Sequence, residues 1–409
     1  MIIQTESNYT PITGATLLLP VASQNGKLPA DTLRQLSQIT GQSSDFIGQC
    51  FEGGKKEIFP LVTADQIAVL IGLGDEPSFR HTLRIFQQVA AKHKKLLGSV
   101  LQLHFGVQSG LENVAYLAEA AVNGLLQGAY QLGKYKSDDG FAHPLLHSET
   151  KLTIIASTAP EDALQAGHQR ASIIAQAQRG IMDLVDRPAN HKTPQHLAQW
   201  ATDSANAHGY KATVWTKEQI VAAGLGGLLA VNQGSPDPPV FIVMEYQGKT
   251  TNGRLPKVGL VGKGVTFDTG GLSLKPSANM HYMKSDMGGA AAVLGTMEAA
   301  ARLALPIHLI GIVPSTDNSV DAQAVKPSDV ITTYSGKTIE IIDTDAEGRL
   351  ILADGLAYMV KHFQPDVLID LATLTGSSVR ALGYIVNNED GRVSIDIALS
   401  GVFGNEDTD

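Results

Sequence analysis

Residues 258–289 read VGLVGKGVTFDTGGLSLKPSANMHYMKSDMGG, and residues 343–350 read DTDAEGRL. Val258 to Val261 is a short apolar run closed by Gly262, the pattern of a strand buried on both faces of a sheet. After Asp286, the small residues Gly288, Gly289, Ala290, Ala291 and Ala292 lead into a helical apolar pattern ending near Leu305, and they let a helix start approach a ligand or a strand closely. Strand, loop and helix in that order predict an α/β fold, in which loops at strand ends carry the chemistry. The loops carry Lys263, Asp268, Lys275 and Asp286, and the second stretch adds Asp345, Glu347 and Arg349.

The same alternation extends outward in both directions. Strands are expected at Ala15 to Val21, Ile67 to Leu73, Val100 to Phe105 and Leu152 to Ser157, with helices over Phe79 to Lys95 and Leu111 to Leu132. An alanine- and glutamine-rich segment from Pro160 to Leu184 predicts one long helix, and Thr193-Pro194 reads as the cap and first residue of another. Further strands are expected at Ala212 to Trp215, Leu228 to Val231, Val240 to Glu245, Ile307 to Val313, Thr338 to Ile342 and Val367 to Leu371. A chain of 409 residues exceeds one typical core. The reading is therefore two α/β domains, a smaller one at 1–160 and a second with a central mixed sheet at 187–409, joined by a helix at 161–186.

Composition excludes several classes. A net charge of −9 without a long basic run leaves no electrostatic footprint for nucleic acid. The N-terminus lacks a basic segment followed by an apolar core, and nowhere do eighteen apolar residues run together, so a cytoplasmic protein without membrane contact is expected. The single cysteine, Cys50, excludes an intramolecular disulfide and a thiolate zinc cluster, and is expected to be a buried small apolar residue.

The glycines do not make a phosphate cradle. Gly262-Lys263 is followed by Gly264 rather than Ser or Thr, and a dinucleotide fingerprint would need a small residue where Phe267 stands. The carboxylates are more informative. If the backbone stays extended beyond Thr338 to Ile342, Asp345 and Glu347 point to one face. Four acids converging at strand ends, Asp268, Asp286, Asp345 and Glu347, would repel one another and have raised pKa values unless cations neutralise them. Two divalent cations match their charge, and oxygen ligands of this kind suit zinc, manganese or magnesium. Lys263 beside such a metal can lose its proton and act as a nitrogen ligand. Lys275 and Arg349 then remain charged and available to an oxyanion or small anion. His281 is the only histidine near the motif and is not expected to be a ligand.

These segments resemble the signature of the leucyl aminopeptidase (cytosol aminopeptidase) family. The similarity extends over LVDRPANHKTP, LLAVNQGSPDPP, VFIVMEYQG and DLATLTGSSVRALG, covering about residues 170–384. The resemblance implies a two-metal exopeptidase, cutting leucine and similar apolar residues from peptides with a free N-terminus. Lys263, Asp268, Asp286 and Glu347 would ligate one metal and Asp268, Asp345 and Glu347 the other, with a hydroxide held between them. Lys275 would stabilise the oxyanion, and Arg349 would hold a bicarbonate ion acting as general base. Met283, Thr373, Leu374 and Gly376 would line the substrate pocket. It also implies a homohexamer.

Two departures stand out. Asp343 and Asp186 occupy positions where the family commonly has Asn. After Gly383, the insertion Ile385 to Leu399 precedes Ser400 to Asp407, and the chain stops at Asp409, where relatives continue. A catalytic domain with a shortened C-terminus is expected, and with it an alternative function as a non-catalytic scaffold or binding protein. A phosphoesterase is the third reading, disfavoured by Lys263 and the DTDAEGR context.

Overall fold

The apolar runs of the first 160 residues assemble into one six-stranded sheet. Its strands are β1 (Ile2–Glu6), β2 (Thr16–Val21), β3 (Ile58–Val62), β4 (Ile67–Gly72), β5 (Val100–His104) and β6 (Lys151–Ile155), in the order β1-β6-β5-β2-β4-β3. All neighbours are parallel except β3, which runs antiparallel to β4. Alternation along β2 splits the core: Leu18 packs with Val69, Phe86 and Leu125, and Leu17 and Leu19 pack with Leu70, Ile47 and Phe51. The helices of this part are α1 (Ala30–Thr40), α2 (Ser44–Cys50), α3 (Phe79–Lys92) and α4 (Val114–Gly128). Cys50 ends α2 exposed rather than buried, because only Ile47 of that short helix faces the core.

The computed structural model describes residues 1–377 apart from 64–65, 109, 133–134, 138–142 and 251–252. The chain divides into two units, Met1–Arg179 and Gly180–Asp409. The long helix α5 (Glu161–Asp186) runs through that division.

The second unit is built on β7 (Lys211–Trp215), β8 (Val240–Gln247), β9 (Lys257–Gly262), β10 (Gly264–Asp268), β11 (His308–Asn318) and β14 (Val367–Leu371), with β12 (Val330–Thr332) and β13 (Thr338–Glu340) forming a separate antiparallel pair. The sheet order is β14-β9-β11-β8-β7, and β10 continues along β11 past the end of β9. It is a mixed sheet: β14, β9, β10 and β11 are parallel, and β8 runs antiparallel to both its neighbours, β11 and β7. Helices α6 (Pro194–His208), α7 (Lys217–Ala223), α8 (Gly226–Asn232), α9 (Gly288–Arg302) and α10 (Glu347–Phe363) complete it. Leu197, Val293 and Met297 share one core with Met244 and Leu260, while Leu228, Ile351 and Met359 share another with Val261 and Ile312. The run Leu228 to Val231, expected as a strand, is helix α8. Leu225, Leu228 and Val231 recur every three residues and are all buried, a pattern that four apolar residues in a row conceal.

Candidate metal centre

The chain jumps from β9 to β10 at Lys263. The Lys263 backbone donates to Leu371 O (2.9 Å) and accepts from Ala290 N (2.9 Å), pinning the break between β14 and the start of α9. That helix comes so close because it begins with glycine: a Cβ on Gly289 would sit 1.9 Å from Leu371 O. The small residues after Asp286 thus serve packing against a strand. Asp268 ends β10 opposite Asn318 of β11. Asp286 closes the 3-10 turn Met280–Ser285, and Glu347 opens α10 directly after the turn Thr344–Ala346.

Three acids meet. Asp268, Asp286 and Glu347 are buried, and one oxygen of each lies within 4.8 Å of the others. At that spacing each ionised pair repels by roughly 3.5 kcal/mol for an effective dielectric of about 20. Lys263 Nζ, itself buried, lies 2.8 Å from Asp286 Oδ1 and 2.8 Å from Glu347 Oε1. Asp286 Oδ1 also accepts from Thr373 Oγ1 (2.6 Å). Asp268 Oδ1 accepts from Gly270 N (2.8 Å) and Asn318 Nδ2 (2.9 Å). Glu347 Oε2 is buried with no hydrogen-bond partner among the described residues. Burial raises the pKa of Asp286 and of Glu347; Lys263 opposes the rise, and the neighbouring acids add to it.

One expectation needs correction. Asp345 and Glu347 do not lie on one extended strand, because β13 stops at Glu340 and the intervening turn is helical. Asp345 stands outside the buried trio and joins it through Lys275, whose Nζ pairs with Asp345 Oδ1 and lies 2.8 Å from Asp268 Oδ2. Lys275 is therefore not left unpaired. Burial pushes the Lys263 pKa down, but Asp286 and Glu347 together raise it above the ordinary lysine value. Ionised together, the four carboxylates would exceed the two ammonium groups by two negative charges. That excess, the unpartnered Glu347 oxygen and an all-oxygen donor set beside one amine fit divalent cations such as zinc, manganese or magnesium.

The remaining residues lie around this cluster. Met283 is half-buried in the turn before Asp286, Leu374 and Gly376 are exposed, and Thr373 touches both Asp286 and Lys263. Arg349 is exposed in the first turn of α10 and makes no ion pair among the described residues. His281 is exposed against Tyr282, with ring centroids 4.1 Å apart. Asp343 Oδ1 accepts from Asp345 N (2.9 Å), so it caps the turn that presents Asp345. The segments Ile385 to Leu399 and Ser400 to Asp407 lie outside the described residues. Sequence reasoning missed Asn318, which also donates to Thr344 O (3.1 Å), and Thr344, whose hydroxyl donates to Gly270 O (2.7 Å) and accepts from Ser273 N (2.8 Å). Those bonds tie the two signature segments together, and no local spacing announces them.

The model of the cytosol aminopeptidase family, catalytic domain, matches residues 180–390. A probable cytosol aminopeptidase of Chlorobium luteolum is 48% identical over 305 residues, which are 72% of this chain and 58% of that protein. The chain thus spans less than two thirds of that relative's length. A mutant of tomato leucine aminopeptidase has a similar structure, with a TM-score of 0.80 at 29% identity, covering 94% of this chain and 75% of that one. The bottromycin maturation enzyme BotP in complex with Mn gives a TM-score of 0.71 at 31% identity, covering 90% and 74%. The family match takes in more than half of the chain and contains every residue of the acidic cluster, so the chain belongs to the cytosol aminopeptidase family.

Proposed function

We propose that this chain is a metal-dependent aminopeptidase that releases the first residue, leucine or a similar apolar one, from peptides with a free N-terminus. The observation that carries the reading is the buried trio Asp268, Asp286 and Glu347 with an unpartnered carboxylate oxygen inside it. Family membership and the manganese-bound neighbour support it. Lys263, Asp268, Asp286 and Glu347 would hold one divalent cation, and Asp268, Asp345 and Glu347 a second, with zinc, manganese or magnesium as the candidates. Such cations supply acidified water and a polarised carbonyl.

The chain's own groups do the rest. Lys275, at the edge of the cluster beside Asp268 and Asp345, would donate to the carbonyl oxygen as negative charge builds there. Arg349, exposed and unpaired among the described residues, offers a guanidinium to a small anion, bicarbonate by family resemblance. Met283, Thr373, Leu374 and Gly376 would face the departing residue's side chain. Assembly as a homohexamer and a cytoplasmic setting belong to the same reading. Among the described residues, no helix is long and apolar enough to cross a membrane.

The test is release of p-nitroaniline from leucine p-nitroanilide with manganese or zinc, with bound metal measured in parallel. Turnover in the wild type and its loss with the metal in Asp268→Ala are the expected results. Full activity in Asp268→Ala would sink the assignment. A metal-loaded chain without turnover on any free N-terminus would leave a binding protein of this family's fold.

A further inference from the structure

Three backbone carbonyls from two separate segments converge on one buried ammonium that the reaction does not use. Lys192 is 1% exposed. Its Nζ donates to Leu184 O (2.9 Å), to Val185 O (3.2 Å) and to Lys284 O. Leu184 and Val185 lie in the last turn of α5, where carbonyls have no partner within the helix and a cation suits the helix dipole. Lys284 lies in the turn Met280–Ser285, one residue after Met283 and two before Asp286. A return bond closes the clasp: Lys284 Nζ donates to Asp186 O (2.7 Å).

The turn packs against β10, but most of its hydrogen bonds are its own. The other hydrogen bonds of residues 280–285 among the described residues, from Met280 N to Ser277 O, from Tyr282 N to Asn279 O, from Asp286 N to Met283 O and from Ser285 Oγ to Tyr282 O, stay within the turn and the residues flanking it. Among the described residues, the two lysines supply the hydrogen bonds that join it to the rest of the unit. Burying an ammonium is costly unless all its donors are satisfied, and three carbonyls match its three protons. An apolar side chain would fill the space at less cost but could not grip the turn's backbone.

We propose that Lys192 is a positioning residue of the metal centre: it fastens the Met280–Ser285 turn to the end of α5, and so sets where the Asp286 carboxylate and the Met283 side chain stand. The proposal rests on the metal-centre reading, and the experiment separates the two. Manganese binding to the full chain is followed by electron paramagnetic resonance of the free ion, for the wild type and Lys192→Met, with circular dichroism to check folding. Outer-shell partners of metal ligands typically contribute about 10- to 100-fold in affinity, so a folded Lys192→Met chain binds manganese weaker by roughly that factor. Because Met283 moves with the turn, its preference for leucine over alanine p-nitroanilide also narrows, which a purely structural role would not produce. Unchanged manganese affinity in the folded variant overturns the proposal. No manganese binding by the wild type overturns the metal-centre reading, and this proposal with it. If Lys192→Met does not fold, Lys284→Met, which removes only the return bond, decides: weaker manganese binding supports the clasp, and wild-type affinity overturns it.

Discussion

Glu347 shows at the scale of one residue why a cation would suit the cluster. It is buried, one of its oxygens has no partner, and its surroundings push its pKa up. Without a cation its charged form is disfavoured, so Glu347→Gln, which keeps the shape, is expected not to lower the thermal midpoint. Bound metal reverses the comparison. A ligand present at one hundred times its dissociation constant stabilises by about 2.7 kcal/mol, so manganese should raise the wild-type midpoint and leave Glu347→Gln where it was. Calorimetry with and without manganese checks this, and an equal rise in both proteins would remove Glu347 from the ligand set. The acids of this site were legible because carboxylates on glycine-flanked strand ends are an unusual combination. Asn318 and Lys192 were not, since their partners lie at Asp268 and Lys284, far along the chain. Lys275 was legible as a cation near the site, but its pairing with Asp345 depends on a turn that no period in the sequence reveals.

Between elements, backbone approach decides what the sequence can tolerate. Gly289 meets Leu371 O so closely that any side chain must displace α9 from β14. Gly289→Ala is expected to destabilise the second unit by about 1–3 kcal/mol or more, as overpacking does, and to weaken metal binding because Asp286 precedes that helix. Urea unfolding and manganese titration read the two effects, and a variant of wild-type stability would show that the helix start can yield without cost. Helix α8 gives the opposite lesson about legibility. Its first turn is held by Asp354, a fully buried carboxylate of α10 that accepts from Leu228 N (2.9 Å) and also binds the Gly227 backbone. A negative charge at a helix start is favourable, but this one comes from a segment 126 positions later. The local signals, two glycines and four apolar residues, pointed to a strand, and a tertiary contact overrode them. By contrast, α6 starts at Pro194 with Thr193 as its cap, where the sequence carries the whole signal.

Across the whole molecule, the two units should answer to different solution conditions. The expected boundary near residue 160 falls before α5, whereas the division lies inside it, because the early turns join the first unit. Arg170 Nε donates to Glu119 (3.1 Å), while Ile181 and Leu184 join the second core. An amphipathic pattern marks a helix but not which core each turn enters. All the acids of the candidate metal centre lie in the second unit; the first, among the described residues, holds two buried histidines, His104 and His143. Each accepts a backbone N–H at Nδ1, from Gly106 N (3.1 Å) and Leu145 N (3.2 Å), which requires the neutral ring. Burial lowers both pKa values below the ordinary 6.5, with hydrogen bonds to Ile155 and Ala90 opposing. As pH falls through 6.5 the unfolded chain takes up these protons first, so the stability they contribute is present above 6.5 and is lost as pH drops through the folded values. Hydrogen exchange, corrected for intrinsic rates, should then show β2, β4, β5 and β6 losing protection between about pH 7 and pH 5. Replacing both residues, His104→Asn and His143→Asn, leaves an oxygen to accept the same backbone donors but nothing to titrate. The double variant is expected to be less stable at neutral pH and flatter across that range. Manganese should slow exchange around residues 263–290 and 343–350 without changing the first unit's pH response. An acid response in the first unit that persists undiminished in the double variant would assign it to other groups.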